Sequence, residues 1–329
     1  MRRPLLILLL LIFIIGGSIG LWYFSYRTTK APGVGEVVVL IPKGTGVRGI
    51  GTLLAANHLL ENDIRYLALV YFSGLRNKLK AGEYSIPRGL TPPEVLDLLA
   101  KGSTLRHHVT VPEGMAAEQI AAIFEKDGWI RRERFLALVA DASFIQQLGV
   151  DVSHLEGYLF PETYTLVRQE TNEEMVIRMM VDRFRQVWKE LEIPASTQLN
   201  QHQLLTLASV VEKETGVAAE RPLIARVFYN RLARKMRLQS DPTVIYGIRD
   251  FNGNLTKADL KQETPYNTYV IPALPPGPIC SPGRASLEAV LRPVDSDALY
   301  FVSKNDGTHI FSSNLTDHNR AVQLYQRGL

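Results

Sequence analysis

Residues 4–24, PLLILLLLIFIIGGSIGLWYF, carry no charge, and this run limits the chain's possible folds more than any other feature. About twenty apolar residues suffice for a helix to cross a hydrocarbon core roughly 30 Å thick. Arg2 and Arg3 precede the run, and Trp22 and Tyr23 stand where aromatic rings would meet the lipid interface. A short basic start favours a cytoplasmic N-terminus with the rest exported, although Arg27 and Lys30 weaken that asymmetry. A cleaved signal peptide is the competing reading. The apolar run exceeds a signal core, and no small-x-small cleavage site stands out, so the segment reads as a membrane anchor.

The remaining chain has an ordinary globular composition and is long enough for two or three domains with their own cores. Cys280 is the only cysteine, which excludes an intrachain disulfide and a Cys-His metal cluster. A formal net charge of +4, spread along the chain, gives no basis for nucleic-acid binding. It suits an anionic polymer or a membrane surface only weakly.

Three segments share one pattern: IPKGTGVRGIGTLL from Ile41, IPRGLTPPEVLDLL from Ile86 and VPEGMAAEQIAAIF from Val111. Each has a β-branched residue, Pro, one variable residue and Gly, followed by apolar residues at helical spacing, led by Ile50, Val95 and Ile120. That order predicts a strand end, a turn and an amphipathic helix. Thr91 and Glu94 predict a capping box in the second copy. RYLALV at Arg65 and RFLALV at Arg134 extend the likeness of the first and third copies. The fold class expected is α+β. Gly44, Gly46 and Gly49, with Asp63 downstream, imitate a dinucleotide fingerprint, but only the first glycine recurs in the other copies and no βαβ series follows.

In LEGYLFPETY, from Leu155, acids and aromatics interleave at a turn; they could line a sugar site or anchor a core turn, and the residues alone favour neither. Thr171 and Glu174 predict the cap of a packing helix that carries Val176, Met180, Phe184, Val187 and Leu191. Asn200 and Gln203 predict the cap of the next helix, with Gly216 as its stop. On that helix Leu205, Ala208 and Glu212 share a stripe beside Leu204, Leu207 and Val211, so Glu212 prolongs an apolar face. Lost hydration and the negative end of the helix dipole both favour its protonated form, as a general acid requires. An exposed last-turn glutamate fits the same letters. Glu214, two residues on, cannot face Glu212. A two-carboxylate hydrolase would take its second acid from elsewhere, with Asp241 and Glu162 as candidates. Asp241-Pro242 reads as a turn, and Asn230, Arg231, Gln239, Thr243 and Tyr246 add polar groups that look like the lining of a cleft. His309 and His318 read as isolated structural histidines.

Through LEGYLFPETY, ASVVEKET, FYNRL, RLQSDPTVIYG, PYNTY and LPPGPICSPG, in that order, the chain closely resembles the endolytic murein transglycosylases, the MltG or YceG-like family. The resemblance implies a bacterial enzyme of the inner membrane: a cytoplasmic tail at 1–3, the anchor at 4–24, a LysM-like subdomain at 36–105 and the catalytic domain at 106–329. It implies cleavage between N-acetylmuramic acid and N-acetylglucosamine within nascent peptidoglycan strands, leaving 1,6-anhydromuramic ends, without a cofactor or metal. The family's catalytic glutamate falls on Glu212. Glu156, Glu162, Tyr164, Asn230, Arg231, Gln239, Asp241, Thr243, Tyr246, Tyr266 and Asn267 would line the glycan cleft. Ser240 and Cys280 depart slightly from the expected motifs. The partners implied are glycan strands, the membrane and the peptidoglycan synthases of elongation. Two alternatives stand beside this reading: a non-catalytic peptidoglycan-binding scaffold and a two-carboxylate muramidase.

Overall fold

The computed structural model describes residues 2–326; Met1 of the expected tail and the last three residues of the expected catalytic domain lie outside them. The chain is α+β and divides into two compact units, one formed by residues 1–107 with 165–171 and the other by 108–164 with 172–329.

The first unit opens with α1 (Arg2–Thr28), of which Pro4–Thr28 is long and apolar enough to cross a membrane. β1 (Glu36–Ile41), α2 (Val47–Ala56), α3 (Ile64–Phe72), β2 (Gly82–Pro87) and α4 (Pro92–Lys101) follow. β1 and β2 pair antiparallel, with Val39 opposite Tyr84. Alternation along the strands turns Val39, Ile41, Tyr84 and Ile86 inward, onto Ile50 and Leu54 of α2, Leu69 of α3 and Leu96 and Leu99 of α4. Burying each such side chain contributes about 1.5–3 kcal/mol. Glu94 accepts the Thr91 N–H at 2.7 Å, as the capping box predicts. The antiparallel pairing leaves no dinucleotide fold, and Asp63 instead caps α3 by accepting the Arg65 N–H at 2.8 Å.

β3 (His107–Thr110) and β4 (Thr163–Leu166) each have residues in both units, and the second unit also contains α5 (Ala117–Lys126), α6 (Arg132–Val139), α7 (Ala142–Gln147), α8 (Glu173–Glu190), α9 (Gln201–Glu214), α10 (Arg221–Ala233), α11 (Asp241–Gly247), α12 (Arg284–Leu291), β5 (Tyr300–Ser303), β6 (His309–Ser312) and α13 (Leu315–Gln326). β3 pairs with β4, and β5 with β6. All three repeat segments give a strand, a turn and a helix, the third through β3 and α5.

Three local expectations change. The cap of α8 is Asn172, whose side chain accepts the Met175 N–H at 2.9 Å, because the Thr171 hydroxyl is spent on the Val167 carbonyl at 3.0 Å. α9 ends at Thr215, which turns to extended backbone, so no left-handed Gly216 is needed to stop it. Asp241-Pro242 starts α11 instead of forming a free turn, proline being well suited to a first helical turn.

Candidate active site

α9 is built to hold its C-terminal end rigid. Asn200 and Gln203 cap its start reciprocally, at 2.9 and 3.0 Å. Every residue from Leu204 to Val211 is buried. Ser209 fixes a second segment against the helix: its hydroxyl accepts the Ile279 N–H at 3.0 Å, while its carbonyl accepts the Cys280 thiol at 3.3 Å. The polypeptide from Ile279 onward is thereby laid along α9, and the Gly283 N–H reaches Glu212 Oε2 at 3.0 Å.

The third repeat segment completes this corner. Gly114 donates its N–H to the Ser281 carbonyl, and Ser281 donates to the Met115 carbonyl, each at 2.8 Å. Gly114 has φ +75°, and a Cβ there would stand 3.6 Å from Glu212 Cγ, so the segment crosses the glutamate closely. Glu113 rests on Gly283, where a Cβ would meet its carboxyl at 1.9 Å. Only glycine fits there with Glu113 in this position.

The Glu212 side chain is 6% exposed. Arg221, the first residue of α10, places Nη2 3.2 Å from Glu212 Oε1 and 3.9 Å from Glu113 Oε2. Its Nε is buried without a hydrogen-bond partner. Burial, and then the charge of Glu212, raise the pKa of Glu113, against the pull of Arg221. Lys213 turns away from Glu212 and donates to the Gly114 carbonyl at 3.3 Å.

Gly114 and Lys213 form part of the wall of a cleft of about 1330 Å³. Glu156, Tyr246, Arg132 and Arg249 line it too. Glu156 is 5% exposed and accepts the Ala117 N–H at 3.1 and 3.2 Å and the Tyr246 hydroxyl at 3.1 Å. Burial pushes it up to about 7, only partly offset by these donors. Burial and the Glu156 charge raise Tyr246. Tyr266 packs edge-on against Tyr246, with ring centroids 4.8 Å apart.

Apart from His318, the other residues singled out from the sequence are held by hydrogen bonds or ion pairs. Asn230 donates to the Ser296 and Ala298 carbonyls, both at 2.9 Å, and Arg231 to the Leu299 and Leu238 carbonyls at 2.6 and 2.8 Å. Gln239, at φ +54°, accepts from Arg231 at 3.2 Å. Thr243 is buried against Thr268, 2.8 Å away. Asn267 is buried and spends its amide on the carbonyls of residues 259, 260 and 262. Tyr164 donates to the Phe160 carbonyl. Asp241 accepts the Tyr269 hydroxyl at 2.6 Å, and Glu162 pairs with Arg183 at 3.0 Å. Glu214 diverges from Glu212, accepting the Ser240 hydroxyl, and burial raises it to about 7. His309 pairs with Glu220 at 2.7 Å, and His318 stacks on Tyr300.

Glu113 and Arg221 were not singled out from the sequence. One signal existed for Glu113: the position holds Lys43 and Arg88 in the other repeats, and only the third copy reverses the charge.

An α+β chain with one long apolar helix and a cleft flanked by buried carboxyls is the class that fold and site define. Residues 39–324 match the model of the YceG-like family. A Bacillus subtilis (strain 168) protein named endolytic murein transglycosylase is 33% identical over 305 residues, covering 88% of this chain and 84% of that protein. A protein of the same name from Streptococcus pneumoniae (strain D39) is 33% identical over 341 residues, covering 93% of this chain. The chain spans 62% of the length of that relative. The 2.6 Å crystal structure of a yceG-like protein from Listeria monocytogenes aligns with a TM-score of 0.58 at 31% identity, covering 88% of this chain and 99% of that one. The chain belongs to the YceG-like family.

Proposed function

We propose that this protein is a membrane-anchored endolytic peptidoglycan lytic transglycosylase, with Glu212 as its general acid and then its base. The observation that carries the reading is the Glu212 corner: a side chain 6% exposed, held by Arg221 and by the Gly283 N–H, directly behind Gly114 and Lys213 of the cleft wall. The relatives' name, endolytic murein transglycosylase, supports the substrate class.

In this mechanism the Glu212 carboxyl gives its proton to the oxygen linking N-acetylmuramic acid to N-acetylglucosamine, and the bond to the anomeric carbon breaks. The carboxylate left behind is stabilised by Arg221 and by the Gly283 N–H. It then takes the proton of the muramic C6 hydroxyl as that oxygen closes on the anomeric carbon. No water is consumed, and the product is a 1,6-anhydromuramic end. One acid serves both steps, so no second catalytic carboxylate is needed. Glu113, whose raised pKa makes it protonate more readily than an ordinary glutamate, leaves Arg221 to Glu212 when neutral. Glu156 and Tyr246, with Tyr266 packed against Tyr246, offer hydrogen-bonding and ring surface to a sugar in the cleft, and the remaining network residues hold the segments behind them.

By the same reading α1 is a single-pass anchor in the bacterial inner membrane, with the bulk of the chain on the cell-wall side. Residues 36–105 form the LysM-like subdomain, residues 106–329 the catalytic domain, and the synthases of elongation supply the strands. One observation favours a second reading: Glu113 and Glu212 stand 3.9 and 3.2 Å from Arg221 Nη2, which brings two carboxyls together, and a two-carboxylate muramidase needs such a pair flanking the scissile bond. Mass spectrometry of products from uncrosslinked glycan strands separates the two. Anhydro ends, lighter by one water and absent with Glu212→Gln, are expected. Reducing ends would establish a hydrolase, and binding without cutting would leave a scaffold.

A further inference from the structure

α3 has two apolar faces. Tyr66, Leu69 and Val70 enter the core of the first unit. The opposite stripe contains Ile64, Tyr71 and Phe72, at i, i+7 and i+8, and these are 65%, 70% and 75% exposed. Three large apolar side chains held in water on a nine-residue helix mark a surface that something covers.

The position of this stripe identifies what covers it. α1 and α3 lie in one compact unit. The Phe72 ring meets the Tyr23 ring edge-on at 6.4 Å, and the Arg65 guanidinium lies 5.0 Å from the Trp22 ring and 4.8 Å from the Tyr26 ring. Both ends of α3 are therefore tied to the last turns of α1. Tyr23 stands where the uncharged run ends, so a bilayer that buries the run has its interface at this level. Phe72, in contact with Tyr23, lies at the same depth. Arg76 and Lys78, both exposed, follow immediately, where lipid phosphates would be.

We propose that the outer face of α3 is seated in the headgroup boundary of a phospholipid bilayer containing anionic lipid, so that the first unit rests on the membrane. The proposal rests on reading α1 as a transmembrane helix. A second copy of the chain or another protein are the competing occupants.

The test uses the full chain in vesicles of phosphatidylethanolamine and phosphatidylglycerol. Phe72→Cys, Ile64→Cys and Phe13→Cys are each labelled with an environment-sensitive fluorophore before reconstitution. The unsubstituted chain, whose one cysteine is buried, serves as the blank. Labels at 72 and 64 are expected to emit at short wavelength and to be quenched about two-fold by nitroxides near the headgroups, and less by nitroxides at the chain ends, as insertion to roughly 5–10 Å requires. The label at 13 should show the reverse depth preference. Water-like, unquenched labels at 72 and 64 beside a quenched label at 13 would overturn the proposal and leave the anchor standing. Short-wavelength emission at 72 and 64 untouched by lipid nitroxides would also overturn it, since a protein surface would then cover the face. An unquenched label at 13 would remove the anchor reading, and this proposal with it.

Discussion

Glu212 and Glu156 are both withdrawn from water beside one cleft, yet they are surrounded differently. Glu212 faces a guanidinium, a backbone N–H and a second carboxyl. Glu156 has a backbone N–H and a tyrosine hydroxyl and, among the described residues, no cation as a hydrogen-bond partner. A buried carboxyl without a counterion favours its neutral form, as the raised Glu156 does, whereas a guanidinium offsets the charge of a buried carboxylate. The comparison teaches that two carboxyls equally withdrawn from water can meet opposite electrostatic company, which burial alone does not set.

The sharpest way to break this comparison is Glu212→Gln, which keeps the shape but cannot carry the proton. Its cutting rate should fall by on the order of 10³-fold, while circular dichroism finds the chain folded, because Glu113 remains to face Arg221. A variant cutting at the normal rate would remove Glu212 from the mechanism. Arg221→Gln comes next. Leaving the buried Glu212 without its cation should cost about 3–5 kcal/mol near pH 8; urea unfolding of the variant and the parent measures this, and equal midpoints would mean that the pair contributes nothing.

Glu156 tests the other side. Its folded-state pKa, about 7, lies above the ordinary 4.5, so the stability it contributes is full below the ordinary value and is lost as pH rises through about 7. Glu156→Gln should flatten that loss, matching the parent near pH 4 and exceeding it near pH 8 by up to about 3 kcal/mol. Thermal melts across pH check it, and an unchanged slope would mean that Glu156 ionises freely. The smallest effect is expected from Glu113→Gln. Glu113 is raised and protonates more readily than an ordinary glutamate, so the glutamine imitates its neutral form and the cutting rate should change by less than about tenfold. A larger fall in the rate measured on glycan strands would give Glu113 a part in the chemistry.

Much of this was legible in the chain. The apolar run at 4–24, the three repeated strand-helix units and the α9 stripe ending at Glu212 all rest on local periodicity, which needs only neighbours three or four residues away. The cap of α8 was misplaced by one residue because Thr171 had a competing local acceptor in Val167. Asn230, Arg231, Thr243 and Asn267 read as cleft groups because they are polar, but their donors are occupied by carbonyls and hydroxyls that no spacing reveals. Arg221 and Glu113 went unnoticed for the converse reason: each is unremarkable beside its own neighbours in sequence.

The sequence by itself determined the apolar helix at the start, the helices of the repeated units, α8 and α9, and that Glu212 prolongs an apolar stripe of α9, because those properties depend on side-chain chemistry repeated at a fixed rise; burial of α9 on every side from Leu204 to Val211 came only with the fold. Only the tertiary structure decided what Glu212 meets. Glu113, Gly283 and Arg221 reach it from three different segments, and the corner exists because Ser209 and Ser281 hold those segments by hydrogen bonds across the unit. Coulomb and desolvation energies depend on distance in space, and that distance is set only when the chain folds.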